Sequence, residues 1–127
     1  IREAQYNLAI IYEKGEFITG LIAPGISICA DALYQSAAQL PKVEIKKPKS
    51  VIVKNTVGSI QAGIVLGHIG QTVHIIRELK RELNIPHMKV IATGGLAKVI
   101  DPDKTIFDVL DPTLTLKGLK ILYEKNK

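Results

Sequence analysis

The chain has 127 residues, of which 46% are hydrophobic and 23% charged, with a formal net charge of +5 and a single cysteine. This is room for one domain with a genuine core, and the balance is that of a folded globular protein rather than a disordered one. No stretch approaches the ~18 consecutive apolar residues of a membrane span, and Ile1-Arg2-Glu3 lacks the layout of a signal peptide, so a cytoplasmic protein with no membrane partner is expected.

Two apolar runs, Gln5 to Tyr12 and Phe17 to Ala23, are joined by Glu13-Lys14-Gly15-Glu16 and predict a β-hairpin with Gly15 in its turn. A sheet that starts this near the first residue suggests that Ile1 opens part-way into a longer polypeptide. Ala23-Pro24-Gly25 breaks the strand, a break that needs no ligand although it could hold one. Ile26, Ala30, Leu33, Ala37 and Leu40 then recur at helical spacing, predicting a helix over 26–40 that Pro41 ends. Cys29 lies in this apolar run and reads as a small buried residue in a reducing compartment.

Five of the 17 basic residues, Lys42, Lys46, Lys47, Lys49 and Lys54, cluster in one stretch where only Glu44 opposes them. A phosphorylated small molecule, a nucleic acid and plain solvation would each account for the cluster. No aromatic residues are interleaved for base stacking, so a nucleic-acid partner is not expected. Beyond Val51-Ile52-Val53, the segment Lys54-Asn55-Thr56 stands where a loop becomes a helix. Asn55 or Thr56 is suited to cap it, and the Thr56 hydroxyl at an exposed helix start could instead meet a polar or anionic ligand.

Ile60, Ile64, Gly67, Ile69, Val73, Ile76, Leu79 and Leu83 recur at helical intervals through 57–83, predicting one long helix or two with a break. Glycines 63, 67 and 70 each cost helix stability by roughly 1 kcal/mol relative to Ala, which suggests a face where another backbone packs closely. His68 and His74 are six apart and share no face, so a metal site between them is not expected.

After Asn84-Ile85-Pro86 comes KVIATGGLA at 89–97: an apolar, β-branched run, two glycines and a short apolar segment. It reads as a buried strand, a tight turn and a helix start. Gly94 and Gly95 can take positive φ, so their N–H groups and the Thr93 hydroxyl could face a sugar, a base or a phosphate, or the turn could be purely structural. Asp101-Pro102-Asp103 forms a turn. Asp111-Pro112-Thr113 precedes a last helix striped with Leu116, Leu119, Leu122 and Tyr123, for which Thr113 or Thr115 is the expected cap. The alternation of strands and helices fits an α/β domain.

Six segments, taken in order, carry more than any one of them: GLIAPGI at 20–26, LPKVE at 40–44, KPKSVIVKNT at 47–56, QAGIVLG at 61–67, KVIATGGLA at 89–97 and DPTLTLKGLKILYEKN at 111–126. Together they resemble the type III pantothenate kinases, over nearly the whole chain from about Gly15 onward. The resemblance implies a ribonuclease-H-like lobe, a mixed sheet flanked by helices, of the actin-like ATPase and acetate and sugar kinase superfamily. The whole of residues 1–127 would be a single domain, the C-terminal lobe of a two-lobed kinase.

The implied activity is transfer of the γ-phosphate of ATP to pantothenate, the first step of coenzyme A biosynthesis, by a homodimer using Mg²⁺ and a monovalent cation, K⁺ or NH₄⁺. By the same resemblance Thr56 contacts pantothenate near the dimer interface, Thr93, Gly94 and Gly95 line the ATP cleft, and the glycine-dotted helix joins the dimer contact. No catalytic residue and no metal ligand carries over. The phosphate loop and the general-base aspartate belong to a first half that has no counterpart here. The family's Asp-x-Gly-Thr-Ala-Thr motif should fall at residues 1–6, which read IREAQY: Ile1 stands in place of the cation-binding aspartate and Ala4 in place of the threonine. Val53 also replaces the usual glycine before Lys-Asn-Thr. Without those groups the chain alone is expected to be inactive. The alternative is a non-catalytic regulatory module on the same fold.

Overall fold

Side-chain alternation sets the first element. In the computed structural model, which describes residues 5–11 and 14–127, β1 (Gln5–Ile11) and β2 (Phe17–Pro24) pair antiparallel, with Leu8 opposite Leu21 and Ile10 opposite Thr19. Ile10 is buried while its neighbours Ala9 and Ile11 are exposed, the period of two expected of a sheet with one covered face. Gly15 turns the chain at φ 78°, a left-handed conformation open to glycine, and the register shifts between Ile10 and Ile11. The hairpin expectation holds where it can be read; Tyr12 and Glu13 lie outside the described residues.

Helix α1 (Ile26–Ser36) is shorter than the predicted 26–40. Ala37 is already extended and Gln39 sits at φ 78°, so the chain leaves the helix before Leu40, which the following Pro41 disfavours from helical geometry. Ala37 and Leu40 therefore do not continue the helix. Cys29 is half-buried rather than buried.

Helix α2 (Thr56–Glu82) is a single unbroken element. The residues it buries are Ile60, Ala62, Val65, His68 and Thr72, which differ from the predicted stripe: Val73 is exposed, as are Gly63, Gly67 and Gly70. Thr72 can be buried because its hydroxyl donates to the His68 carbonyl, one turn back, at 2.8 Å. A Cβ placed on Gly63, Gly67 or Gly70 would meet nothing within 4 Å, so no backbone among the described residues approaches that face. The helix ends where Asn84, at φ 54°, lets the Ile85 amide reach the Lys80 carbonyl at 3.0 Å and its own amide reach Arg81 at 3.3 Å.

By contact density the chain divides into two compact units, Ile1–Val65 and Leu66–Lys127. The second holds β3 (Ile91–Ala92), paired parallel with β4 (Val109–Leu110), the short α3 (Ala97–Ile100) and α4 (Leu114–Lys125). The architecture is mixed α/β with two small sheets and helices. The strand at 90–93 is not the buried one predicted: only two residues are extended and Ile91 is 52% exposed, since the sheet among the described residues has one partner strand. Nor does α4 bury its stripe; Leu116, Leu119, Leu122 and Tyr123 are all exposed.

What fixes the loop between α3 and β4 is Asp101. Its buried carboxylate accepts the amides of Thr105, Ile106 and Phe107, each at 2.8 Å. Burial alone would push this carboxyl up, but the three backbone N–H groups favour the charged form more strongly and hold it below the ordinary value of 3.8.

Two outcomes follow from this packing. Asp101→Asn should cost about 2 kcal/mol near neutral pH, because at least one partly buried amide loses its acceptor. Since the folded-state pKa is depressed, the aspartate's advantage is complete above the unfolded-state value and fades as pH falls through the folded one, so the urea-unfolding difference between wild type and Asp101→Asn should shrink below about pH 4. Gly67→Ala and Gly70→Ala should each raise stability by about 0.5–1 kcal/mol in the isolated chain, as helix propensity dictates where nothing is crowded; a loss in thermal unfolding would reveal a neighbour on that face.

Candidate functional site

The first candidate lies at the N-terminus of α2. The Asn55 carboxamide accepts the Gly58 amide at 2.7 Å, the geometry of a helix N-cap, while the Asn55 carbonyl accepts both the Ser59 amide at 3.0 Å and the Ser59 hydroxyl at 2.8 Å. Of the two capping residues left open by the sequence, Asn55 serves. Gly58 sits close against the cap: a Cβ there would stand 3.0 Å from Asn55 Oδ1 and 3.1 Å from the Val53 methyl, so a larger residue would make one of these side chains shift.

With capping assigned to Asn55, the exposed Thr56 hydroxyl has no hydrogen-bond partner among the described residues. It lines an open cavity of about 550 Å³ whose apolar wall comes from Leu33, Leu40, Ile60 and Ile64 and whose polar rim includes Lys54 and Ser59. The Lys54 ammonium is exposed and has no ion pair among the described residues. Gln61 donates to the Glu44 carbonyl at 3.0 Å and ties the lysine-rich loop to α2 beside this cavity. A free hydroxyl, the first-turn amides of a long helix and a cation over an apolar wall suit a polar or anionic small molecule with an aliphatic body.

The second candidate is the turn after β3. Gly94 has φ 103°, a conformation that side-chain-bearing residues rarely adopt, and its carbonyl accepts the Ala97 amide at 3.4 Å at the start of α3. Gly95 does not take positive φ, so only one of the two glycines is used as the sequence suggested. A Cβ on Gly95 would meet nothing within 4 Å, and Thr93 and Gly95 are both exposed. The Thr93 hydroxyl has no hydrogen-bond partner among the described residues. Immediately beyond, the Asp111 amide bonds the Ala92 carbonyl at 2.9 Å, and the Asp111 carboxylate takes the Lys117 ammonium at 2.7 Å and the Thr113 amide and hydroxyl at 3.0 and 2.9 Å. These bonds, that of Lys117 foremost, hold the Asp111 carboxyl below the usual carboxylate range. Thr113 thus stands at the N-cap position of α4, yet its side chain bonds Asp111 rather than capping, and Thr115 lies within the helix.

Thr56 belongs to the first compact unit and Thr93, Gly94 and Gly95 to the second. Among the described residues no group of three or more His, Cys, Asp or Glu side chains could hold a metal ion. Ile1 and Ala4, at the positions of the family's cation-binding motif, lie outside the described residues.

The profile of the type III pantothenate kinases matches residues 6–78. The chain belongs to the type III pantothenate kinase family. The matched span includes Thr56 and its cavity and stops before residues 93–95. A crystal structure from Campylobacter jejuni, described as a conserved Baf family transcriptional activator, superposes with a TM-score of 0.59 at 19% identity, covering 97% of this chain and 54% of that one. This likeness is one of fold, and the chain spans about half the length of that relative.

The sequence reading missed a group of basic residues on α2. Arg77, Lys80 and Arg81 share one face at spacings of three and four, a pattern visible in the sequence had charge been read with the same period as hydrophobicity.

If Asn55 alone caps α2, Asn55→Ala should lower stability by about 1 kcal/mol in chemical denaturation, and Thr56→Ala should stay within roughly 0.5 kcal/mol of wild type. The reverse ranking would assign the cap to Thr56 and remove its hydroxyl from the list of ligand contacts.

Proposed function

We propose that this chain is the C-terminal lobe, a single ribonuclease-H-like domain, of a two-lobed pantothenate kinase. The complete enzyme transfers the γ-phosphate of ATP to pantothenate and opens coenzyme A biosynthesis in the cytoplasm. The observation that carries the reading is the family match across the segment in which Thr56, relieved of capping, presents its hydroxyl to a cavity with an aliphatic wall and a lysine at the rim. Pantothenate is an aliphatic amide with hydroxyls and a carboxylate, and that cavity supplies a partner for each kind of group. Thr93, Gly94 and Gly95 would hold ATP: the open flank of Gly95 admits close approach of a nucleotide, and the Thr93 hydroxyl is free to bond it.

Phosphoryl transfer also needs charge neutralisation around the γ-phosphate and a base on the acceptor hydroxyl. Mg²⁺ supplies the first when bound, but the described residues offer no acidic cluster for it, so no step through the metal is assigned to them. No step through the monovalent cation, K⁺ or NH₄⁺, is assigned to the described residues either. The groups this chain contributes bind and orient; metal, base and phosphate loop would come from the other lobe. The exposed leucines of α4 and the open flank of Gly63, Gly67 and Gly70 support a lobe that meets further protein surface, the glycine face in a homodimer.

A second reading is a non-catalytic regulatory module, favoured by the fold likeness to a protein described as a transcriptional activator. The two separate on pantothenate-dependent ADP release, measured with Mg²⁺ and K⁺ for the 127-residue chain and for the product of its complete reading frame. The kinase reading expects turnover only in the latter. There, Thr56→Ala should raise the KM for pantothenate at least ~10-fold, the cost of about one hydrogen bond to a charged or strongly polar group, while changing the KM for ATP less than ~2-fold. Turnover in neither protein supports the module.

A further inference from the structure

A groove in the second unit lies at the C-terminal end of α2, and its lining shares no residue with the Thr56 cavity. This cavity of about 550 Å³ has Val73, Ile76 and Ile106 among its apolar lining, with Arg77, Lys80 and Arg81 on its α2 wall. Cations near a helix C-terminus ordinarily answer the open carbonyls and the helix dipole. Here backbone amides take three of the last carbonyls: Leu83 on Leu79, Ile85 on Lys80 and Asn84 on Arg81.

The charges of Arg77, Lys80 and Arg81 are unequally committed. Arg81 is held by Glu78 at 2.7 Å, with Glu82 at 3.6 Å, and this pairing lowers the Glu78 pKa and raises that of Arg81. Arg77 shares a hydrogen bond with His74 Nδ1 at 2.9 Å and acts on the Glu78 carboxylate only as a nearby charge, and Lys80 has no ion pair among the described residues. Across the groove Thr105 and Ile106 bring no charge, and their amides are spent on Asp101, whose carboxylate is in turn consumed by backbone donors. Two cations that form no ion pair among the described residues thus line a groove with apolar residues. A guanidinium and an ammonium less than two helical turns apart form a clamp for a phosphate or carboxylate, and the floor suits a hydrocarbon or ring attached to it.

We propose that this groove is a binding site for a small organic anion, an apolar body bearing one phosphate or carboxylate, with Arg77 and Lys80 holding the anionic group and Ile76 and Ile106 covering the body. The site is separate from the Thr56 cavity and stands or falls independently of the kinase reading.

The test is calorimetric titration of the full 127-residue chain at low ionic strength with phenyl phosphate, phenylacetate, inorganic phosphate and benzyl alcohol. Saturable one-to-one binding of phenyl phosphate or phenylacetate is expected, the tighter of the two identifying the anionic group. Inorganic phosphate should bind at least ~10-fold more weakly for want of the apolar body, and benzyl alcohol more weakly still. Arg77→Gln and Lys80→Gln should each weaken the aryl anion by about 10-fold, with circular dichroism unchanged, while Lys125→Gln on α4 should leave it unaltered. Binding of neither aryl anion, equal binding of inorganic phosphate, or equal weakening by Lys125→Gln would overturn the proposal.

Discussion

The Asn55 carboxamide on the Gly58 amide is the contact on which the first candidate site depends. A long helix must satisfy its first amides, and whichever side chain does so is lost to ligand binding. Because Asn55 takes that task, the Thr56 hydroxyl one residue later is left facing a cavity. The cap leaves little room at position 58, where a side chain would press on Asn55 and Val53. The loop before the helix is tied down from the other side by Gln61 on Glu44.

The second unit is organised by carboxylates. Asp101 gathers three successive amides and sets the loop that leads into β4, and Asp111 bonds Thr113 and Lys117 at the entry to α4 while its amide joins β3. Small sheets of two residues per strand supply few ladder bonds. Side-chain acceptors with several backbone donors replace what longer strands would contribute. The Gly94 turn follows directly on the strand that the Asp111 amide joins, with the Thr93 hydroxyl left open.

Local features were legible in the sequence and partner-dependent ones were not. The hairpin with Gly15, the helical segment expected over 57–83 as one helix or two, and the positive φ at one of the paired glycines, Gly94, each follow from residues close together in the chain. The order of the six short motifs pointed to the family that the match over 6–78 establishes. The early end of α1 was missed because apolar spacing at Ala37 and Leu40 continued past the point where Gln39 turns left-handed. Ile91 and the leucines of α4 were expected to be buried because periodicity reports which face is apolar, and burial depends on what covers it. Asp101 gave no signal beyond a turn, since its donors come from an irregular loop. Thr72 is buried in place of an apolar residue because its hydroxyl bonds within its own helix.

The claim most exposed to refutation is that the Thr56 hydroxyl receives pantothenate. A crystal structure of the complete reading-frame product with bound pantothenate addresses it directly. The account predicts a polar atom of pantothenate within about 3.2 Å of Thr56 Oγ1, with the aliphatic part against Ile60 and Ile64. Pantothenate bound away from the first turn of α2, or Thr56 turned back to cap its own helix, would contradict it.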